Sequence, residues 1–166
     1  MKSFYVVTNT AKDTDYSLTN SVVKYLEQKG CYCGFVPFAR GFIPGEDKYV
    51  DPAMIPEDVE AIIVLGGDGT LIRAVRDMGG CAMPLLGINL GTLGYLTDVE
   101  LKEFRPALDR LFRDDFDIEE RMMIEGTTAD GRMDLAVNDI VLAREGKIRI
   151  VQFNLRKFRS NKRKSK

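Results

Sequence analysis

One stretch limits what this chain can fold into more than any other. It runs Ala61-Ile62-Ile63-Val64-Leu65, then Gly66-Gly67-Asp68-Gly69-Thr70, then Leu71 to Met78. Five consecutive apolar residues, three of them β-branched, read as a strand buried on both faces. Three glycines within the next four positions force a sharp turn and leave a ligand room to approach the backbone. Leu71, Ala74, Val75 and Met78 then recur at helical spacing, one face of an amphipathic helix. Strand, glycine turn, helix is the expected order. A helix N-terminus behind such a turn offers free N–H groups and a favourable dipole, which suits phosphate.

Two familiar phosphate motifs fail here. No G-x-x-x-x-G-K-[ST] occurs, so the P-loop lysine is missing, and Ile72 stands where a G-x-G-x-x-G would place its third glycine. What remains is a carboxylate, Asp68, inside the turn, where it would repel phosphate at short range. That makes sense if a divalent cation bridges the two, or if Asp68 accepts a proton from an attacking hydroxyl. A simple N-cap is the alternative. The chain has no histidine, so any general base must be Asp, Glu, Lys or Tyr, which favours Asp68.

Composition sets the class. Hydrophobic residues make up 45% and charged residues 30%, as in an ordinary soluble globular protein. No apolar run approaches the ~20 residues that span a bilayer. The start, Met1 to Val7, is too short for a secretory h-region, so a cytoplasmic protein without membrane attachment is expected. Cys31, Cys33 and Cys81 make no disulfide framework, and without histidine they make no ordinary zinc site. Residues 156–166 hold seven Lys/Arg and no acid, while residues 1–155 hold 17 basic and 25 acidic groups, net −8. A basic tail could bind a polyanion by charge alone, but the acidic body argues against a nucleic-acid partner, and a solvated tail is the expectation.

In chain order, Phe4 to Thr8 reads as a strand, Leu18 to Leu26 as a helix face ending at Gly30, and Cys31 to Val36 as a short strand. Residues 37–57 hold four prolines and read as a loop with no regular element of its own. Its Arg40, Glu46, Asp47 and Lys48 could cover a ligand, though a solvated loop is the plainer reading. Leu101 to Phe112 keep helical spacing, with Pro106 acceptable only in the first turn. Strands alternating with helices imply an α/β fold, Rossmann-like, with a doubly wound and mostly parallel sheet. After Asp117 the pattern changes: Ile118–Thr128, Arg132–Ala143 and Lys147–Leu155 read as antiparallel strands opening a second, β-rich domain. The expected units are residues 1–115, 116–155 and a basic tail, 156–166.

Two further segments join the first turn. Pro84-Leu-Leu86 leads into Gly87-Ile-Asn89-Leu-Gly91-Thr-Leu-Gly94-Tyr95-Leu96-Thr97, and later comes Leu135-Ala-Val-Asn138-Asp139-Ile-Val-Leu142. With these three segments in order, the sequence resembles the NAD kinase family, which carries a GGDGT turn, a G-x-N-x-G-x-L-G-[FY]-L turn and an N-[DE] pair. The resemblance covers about residues 3–155. It implies transfer of the ATP γ-phosphate to the 2′-hydroxyl of the adenosine ribose of NAD, giving NADP. It makes Asp68 the base, with Gly66, Gly67, Gly69 and Thr70 shaping the phosphate turn. Tyr95 and Leu96 match the step lining the adenine pocket, and Asn138 and Asp139 the pair holding the dinucleotide. Plain core packing is the other reading of Tyr95 and Leu96, and strand capping that of Asn138 and Asp139. Asn89 is expected to brace its own turn.

ATP and NAD are then the substrates and Mg²⁺ or another divalent cation the cofactor, since phosphoryl transfer needs its charge neutralised. Members of the family continue past a strand like Ile148–Asn154 into many more strands, whereas here the basic tail follows. A frame change or premature stop would give such a tail. The implied protein is a member truncated within its second domain, with little activity alone and a tendency to form homo-oligomers through uncovered strands. A catalytically dead nucleotide-binding fragment is one rival. A lipid or sugar kinase relative sharing the first turn is the other.

Overall fold

Two apolar runs form the middle of one sheet. β1 (Ser3–Thr8) and β3 (Ala61–Gly66) are buried at every position, as strands with cover on both faces must be. A computed structural model of the chain describes residues 1–35, 50–79, 81–92, 94–97, 99–128 and 130–141. β2 (Tyr32–Phe35), β4 (Leu85–Asn89) and β5 (Val99–Glu100) complete a five-stranded sheet in the order β2-β1-β3-β4-β5. All of its pairings are parallel.

Alternation along the strands divides the core in two. Phe4, Val6, Ala61, Ile63 and Leu65 face Val22 and Leu26 of α1 (Ser17–Gln28) and Phe104, Leu108 and Leu111 of α3 (Phe104–Phe112). Tyr5, Val7, Ile62 and Val64 face the opposite way, toward Ala74 of α2 (Asp68–Asp77), Met78, Val50 and Val59. Each fully buried aliphatic or aromatic side chain contributes ~1.5–3 kcal/mol of transfer free energy. Helices on both faces make the sheet doubly wound, as the strand–helix alternation predicts. Asp13 starts α1 from outside the helix: its buried carboxylate accepts the N–H groups of Leu18 (3.1 Å) and Thr19 (2.8 Å). Pro106 falls in the first turn of α3, where a missing N–H is tolerated.

Sequence reading and structure part in two places. The span 37–57 is expected to hold no regular element, yet Pro52–Met54 forms a 3₁₀ turn. Asp51 starts it by accepting the Ala53 N–H at 3.1 Å, and proline at the first position needs no acceptor. Residues 36–49, with Arg40, Glu46, Asp47 and Lys48, lie outside the described residues. The long strand expected over Ile118–Thr128 shrinks to β6 (Ile124–Thr127), and Arg132–Ala143 to β7 (Met133–Ala136). Alternating side chains make a strand only where a partner takes the backbone groups, and among the described residues these two pair with each other alone, antiparallel, from Ile124↔Ala136 to Thr127↔Met133. The strand expected over Lys147–Leu155 and the basic tail lie outside the described residues.

The strand order positions the site. Chain direction across the sheet reverses between β1 and β3: β2 lies to one side of β1, and β3, β4 and β5 to the other. Open α/β sheets bind ligands beyond the carboxyl ends of strands at this kind of switch point. The segments that follow β1, β3 and β4 all emerge there.

Candidate active site

The first of these segments, after β1, is held tightly. Asn9 donates its N–H to the Leu65 carbonyl at 2.8 Å, carrying the chain one residue past β1 alongside β3. Its Nδ2 donates to the Thr70 Oγ1 at 3.0 Å, and its Oδ1 accepts the Ala11 N–H at 3.1 Å. The Lys12 and Asp13 N–H groups both return to the Asn9 carbonyl, at 2.9 and 3.0 Å. A tight loop results, ending on the Asp13 cap of α1.

The turn from β3 into α2 is packed from within. A methyl group built on Gly66 would lie 2.4 Å from the Thr70 Oγ1, so only glycine lets Thr70 close over the strand end. Thr70 is accordingly 5% exposed and turns its hydroxyl toward Asn9 rather than outward. Gly67 caps the helix with extended backbone (φ −124°, ψ −170°) and accepts the N–H groups of Thr70 (2.9 Å) and Leu71 (3.1 Å). Gly69 borders open space.

Asp68 is the first residue of α2, so it is not the cap. Its carboxylate reaches across to the second glycine turn. Oδ2 accepts the Tyr95 N–H at 2.8 Å. Oδ1 accepts the Leu96 and Thr97 N–H groups, both at 3.1 Å, and the Thr97 hydroxyl at 3.0 Å. Partial burial pushes the Asp68 carboxyl up, but these donors outweigh it and hold it below the usual carboxylate range. Gly94 makes the approach possible, since a methyl group there would lie 2.1 Å from Oδ1.

Asn89 braces the same turn from behind, as expected. Its Nδ2 donates to the Thr92 carbonyl and the Thr97 Oγ1, both at 2.8 Å, and its Oδ1 accepts the Gly91 N–H at 2.7 Å. Asn89, Thr97 and Asp68 thus form one continuous chain of hydrogen bonds, with Asn89 and Thr97 buried. Thr97, Asn9 and Lys12 are the residues sequence reasoning passed over. Of these only Thr97 left a signal, a polar residue closing a glycine-rich turn.

The structure therefore brings Gly66, Gly67, Asp68, Gly69 and Thr70 together with the backbone of Tyr95 and Leu96. The Tyr95 side chain is 95% exposed, and Leu96 is partly buried. Asn138, in a bend just past β7, and Asp139, directly after it, are both exposed. Among the described residues no hydrogen bond joins them to either turn. The hairpin is tied instead to the far end of α2, where Arg76 pairs with Asp134 through two hydrogen bonds, Nε–Oδ1 at 2.7 Å and Nη2–Oδ2. Arg76 is eight residues along the helix from Asp68, ~12 Å at 1.5 Å per residue. A cleft of about 360 Å³ opens at the amino-terminal ends of β1 and β2, beside Met1, Lys2, Cys31 and Phe112. It is distant from the strand ends that carry the turns and lacks their backbone donors.

Similarity to known proteins agrees with this geometry. The NAD kinase of Lachnospira eligens is 40% identical over 159 residues, covering 93% of this chain and 54% of that protein. The NAD kinase of Agathobacter rectalis is 41% identical over 157 residues, with the same coverages, 93% and 54%. The chain thus spans about half the length of these relatives. The crystal structure of yeast NADH kinase in complex with NADH superposes with a TM-score of 0.63 at 20% identity, over 83% of this chain and 44% of that one, which establishes the shared fold. The family profile described as the ATP-NAD kinase N-terminal domain matches residues 4–116. With sheet order, paired glycine turns and family profile in agreement over the same residues, the chain belongs to the ATP-NAD kinase family.

Proposed function

We propose that this chain carries the nucleotide-phosphate half of an NAD kinase site, in which the γ-phosphate of ATP passes to the 2′-hydroxyl of the adenosine ribose of NAD. The observation that carries the reading is Asp68, a carboxylate standing between two glycine turns at the switch point of the sheet. In the transfer, the ribose oxygen forms a bond to the γ-phosphorus while the bond to the bridging oxygen breaks, and ADP leaves with that electron pair. The hydroxyl proton goes to Asp68. A carboxylate held below its usual pKa is a weak base, but a loose transition state releases the proton late and asks mainly for orientation. The hydroxyl would replace one of the four donors now on Asp68. Gly66, Gly67, Gly69 and Thr70 shape the turn that receives phosphate, and Tyr95 and Leu96 hold Asp68 in line.

Asn138 and Asp139 are assigned to the dinucleotide, on a β-rich unit beginning near residue 116. Mg²⁺ or another divalent cation, if bound there, would neutralise charge on the triphosphate. Such a cation keeps several waters and takes one or two carboxylates beside the substrate phosphates, and Asp68 is the carboxylate the two turns offer. Among the described residues no helix is long and apolar enough to cross a membrane. We place the protein in the cytoplasm and expect self-association through the hairpin and the segment leading into it, where Met133 is 66% and Met122 91% exposed.

The test is to purify the 166-residue chain and titrate it with ATP and with NAD, following amide shifts, with NADP formation read through a coupled dehydrogenase. Shifts confined to Asn9–Asp13, Gly66–Thr70 and Gly91–Thr97, with no more than trace NADP, are the expected result. A folded chain whose turns stay silent at millimolar nucleotide would overturn the reading. Turnover near one per second, an ordinary enzyme rate, would overturn the half-site assignment.

A further inference from the structure

The nucleotide-phosphate site proposed above contains an electrostatic conflict, and resolving it assigns a role to a side chain outside both glycine turns. Phosphate approaching Gly66–Thr70 meets the ionised Asp68, and the chain lacks the P-loop lysine that would offset it. Lys12 lies in the loop after β1, directly across the switch point from that turn. Its ammonium lies close to both turns at once. A methyl group built on Gly67 would lie 3.6 Å from the Lys12 Nζ, and one built on Gly91 would lie 2.9 Å from it.

We infer that Lys12 is the phosphate-binding cation of this site, contacting the phosphate oxyanions of a bound nucleotide between the Gly67 and Gly91 turns. This rests on the function proposed above. Three features support the assignment. The Lys12 main chain is fixed by its hydrogen bond to the Asn9 carbonyl at 2.9 Å, and Asn9 is itself bonded to Leu65 and Thr70, so the stem starts from a defined point. The side chain is exposed and, among the described residues, its ammonium makes no salt bridge, so it can exchange water for an anion. The glycines at 67 and 91 leave the space the ammonium occupies, which a side chain at Gly91 would take. An ammonium supplies three donors to phosphate as a compact point charge, in the manner of other phosphate-binding lysines.

The phosphate could belong to ATP or to the pyrophosphate of NAD, and the two are separable. Lys12→Met, Lys12→Arg and Gly91→Ala would be compared with the parent chain by titration with ATP, inorganic tripolyphosphate, NAD, inorganic pyrophosphate and adenosine. Gly91 has no positive φ, and a methyl group there would crowd only the flexible end of Lys12, with the Asn89 Oδ1 at an ordinary contact distance of 3.8 Å, so alanine displaces the ammonium with little cost to the fold. Lys12→Met and Gly91→Ala should each weaken phosphate ligands by about 10- to 100-fold, the worth of a charge-assisted hydrogen bond. Lys12→Arg keeps the charge and should lose less affinity than Lys12→Met, and adenosine shifts and melting temperatures should not move. Loss on ATP and tripolyphosphate alone assigns Lys12 to the phosphoryl donor. Loss on NAD and pyrophosphate alone assigns it to the dinucleotide. If the parent binds these ligands and Lys12→Met binds all of them within twofold, Lys12 is not the cation and the proposed function stands without it. Equal weakening of adenosine would also overturn the assignment, because it would mark a structural role. A folded parent that binds none of the five ligands overturns both proposals.

Discussion

The five-stranded sheet and the β6–β7 hairpin carry the same family resemblance and are built on opposite terms. In β1 and β3 every residue is buried, because odd and even positions each meet a helical layer or a loop. In the hairpin each strand has one partner among the described residues, half of its residues are polar or glycine, and Met133 and Ile124 face outward. A strand becomes self-supporting through the layers on its two faces, not through its own alternation. The difference also separates the candidate residues. Those on the sheet side are fixed by hydrogen bonds to one another, whereas Asn138 and Asp139 hang on a hairpin joined to α2 by a surface ion pair.

Substitutions can sharpen or break that contrast. The largest effect is expected from Asp68→Asn. It places an amide donor against the Tyr95, Leu96 or Thr97 N–H groups, so it unlatches the second turn as well as removing the base. NADP formation, measured in a chain extended to the length of the relatives, should fall ~10²–10⁴-fold, and nucleotide-induced shifts at Gly91–Thr97 should weaken with it. Unchanged shifts with lost turnover would mean that Asp68 acts on the proton alone.

Next in size is stability. Ile63→Ala in β3, where Ile63 is fully buried, should cost ~2–5 kcal/mol in a urea melt of chain dilute enough to be monomeric, against less than ~0.5 kcal/mol for Met133→Ala under the same conditions. Equal costs would mean the hairpin is covered in solution by further chain. Smaller still is Asp134→Ala. An exposed pair contributes at most ~1 kcal/mol, so hydrogen exchange in β6 and β7 should quicken while that of β1 and β3 stays put.

The smallest effect is a titration. The Asp68 carboxyl is held below its usual range, with burial opposing and the turn donors prevailing; that of Asp134 is lowered chiefly by Arg76. Both contributions are complete above the ordinary Asp value of about 3.9 and are lost as pH falls through the lower folded values. Carboxyl resonances with midpoints at or above the ordinary value would show that neither contact persists in water.

How legible this was depended on distance along the chain. β1, α1, β3 and α2 were readable because periodicity is local, and each element contains its own pattern. The bonds from Asp68 to Tyr95, Leu96 and Thr97 cross 27 to 29 residues. They depend on where β4 stops, which no local pattern states. Lys12 was invisible for the same reason, since its neighbours Gly67 and Gly91 belong to strands two and three places later in the chain. The strand expected over Ile118–Thr128 failed in the reverse direction: Ile118 and Met122 alternate properly, but both are exposed, with no layer among the described residues to cover them.

The contact at Gly94 has a genetic consequence. Every missense change at a glycine codon adds a carbon at the same place, and here that place is 2.1 Å from the Asp68 carboxylate. The position has no conservative alternative, because alanine offends as serine or valine does. Gly69, bordering open space, has no such exclusion from its neighbours. A saturation library read for nucleotide binding should therefore leave position 94 empty while position 69 retains small residues. The two glycines, alike in a string of letters, would record different histories: one held by a neighbour's oxygen, the other by whatever ligand comes to lie beside it.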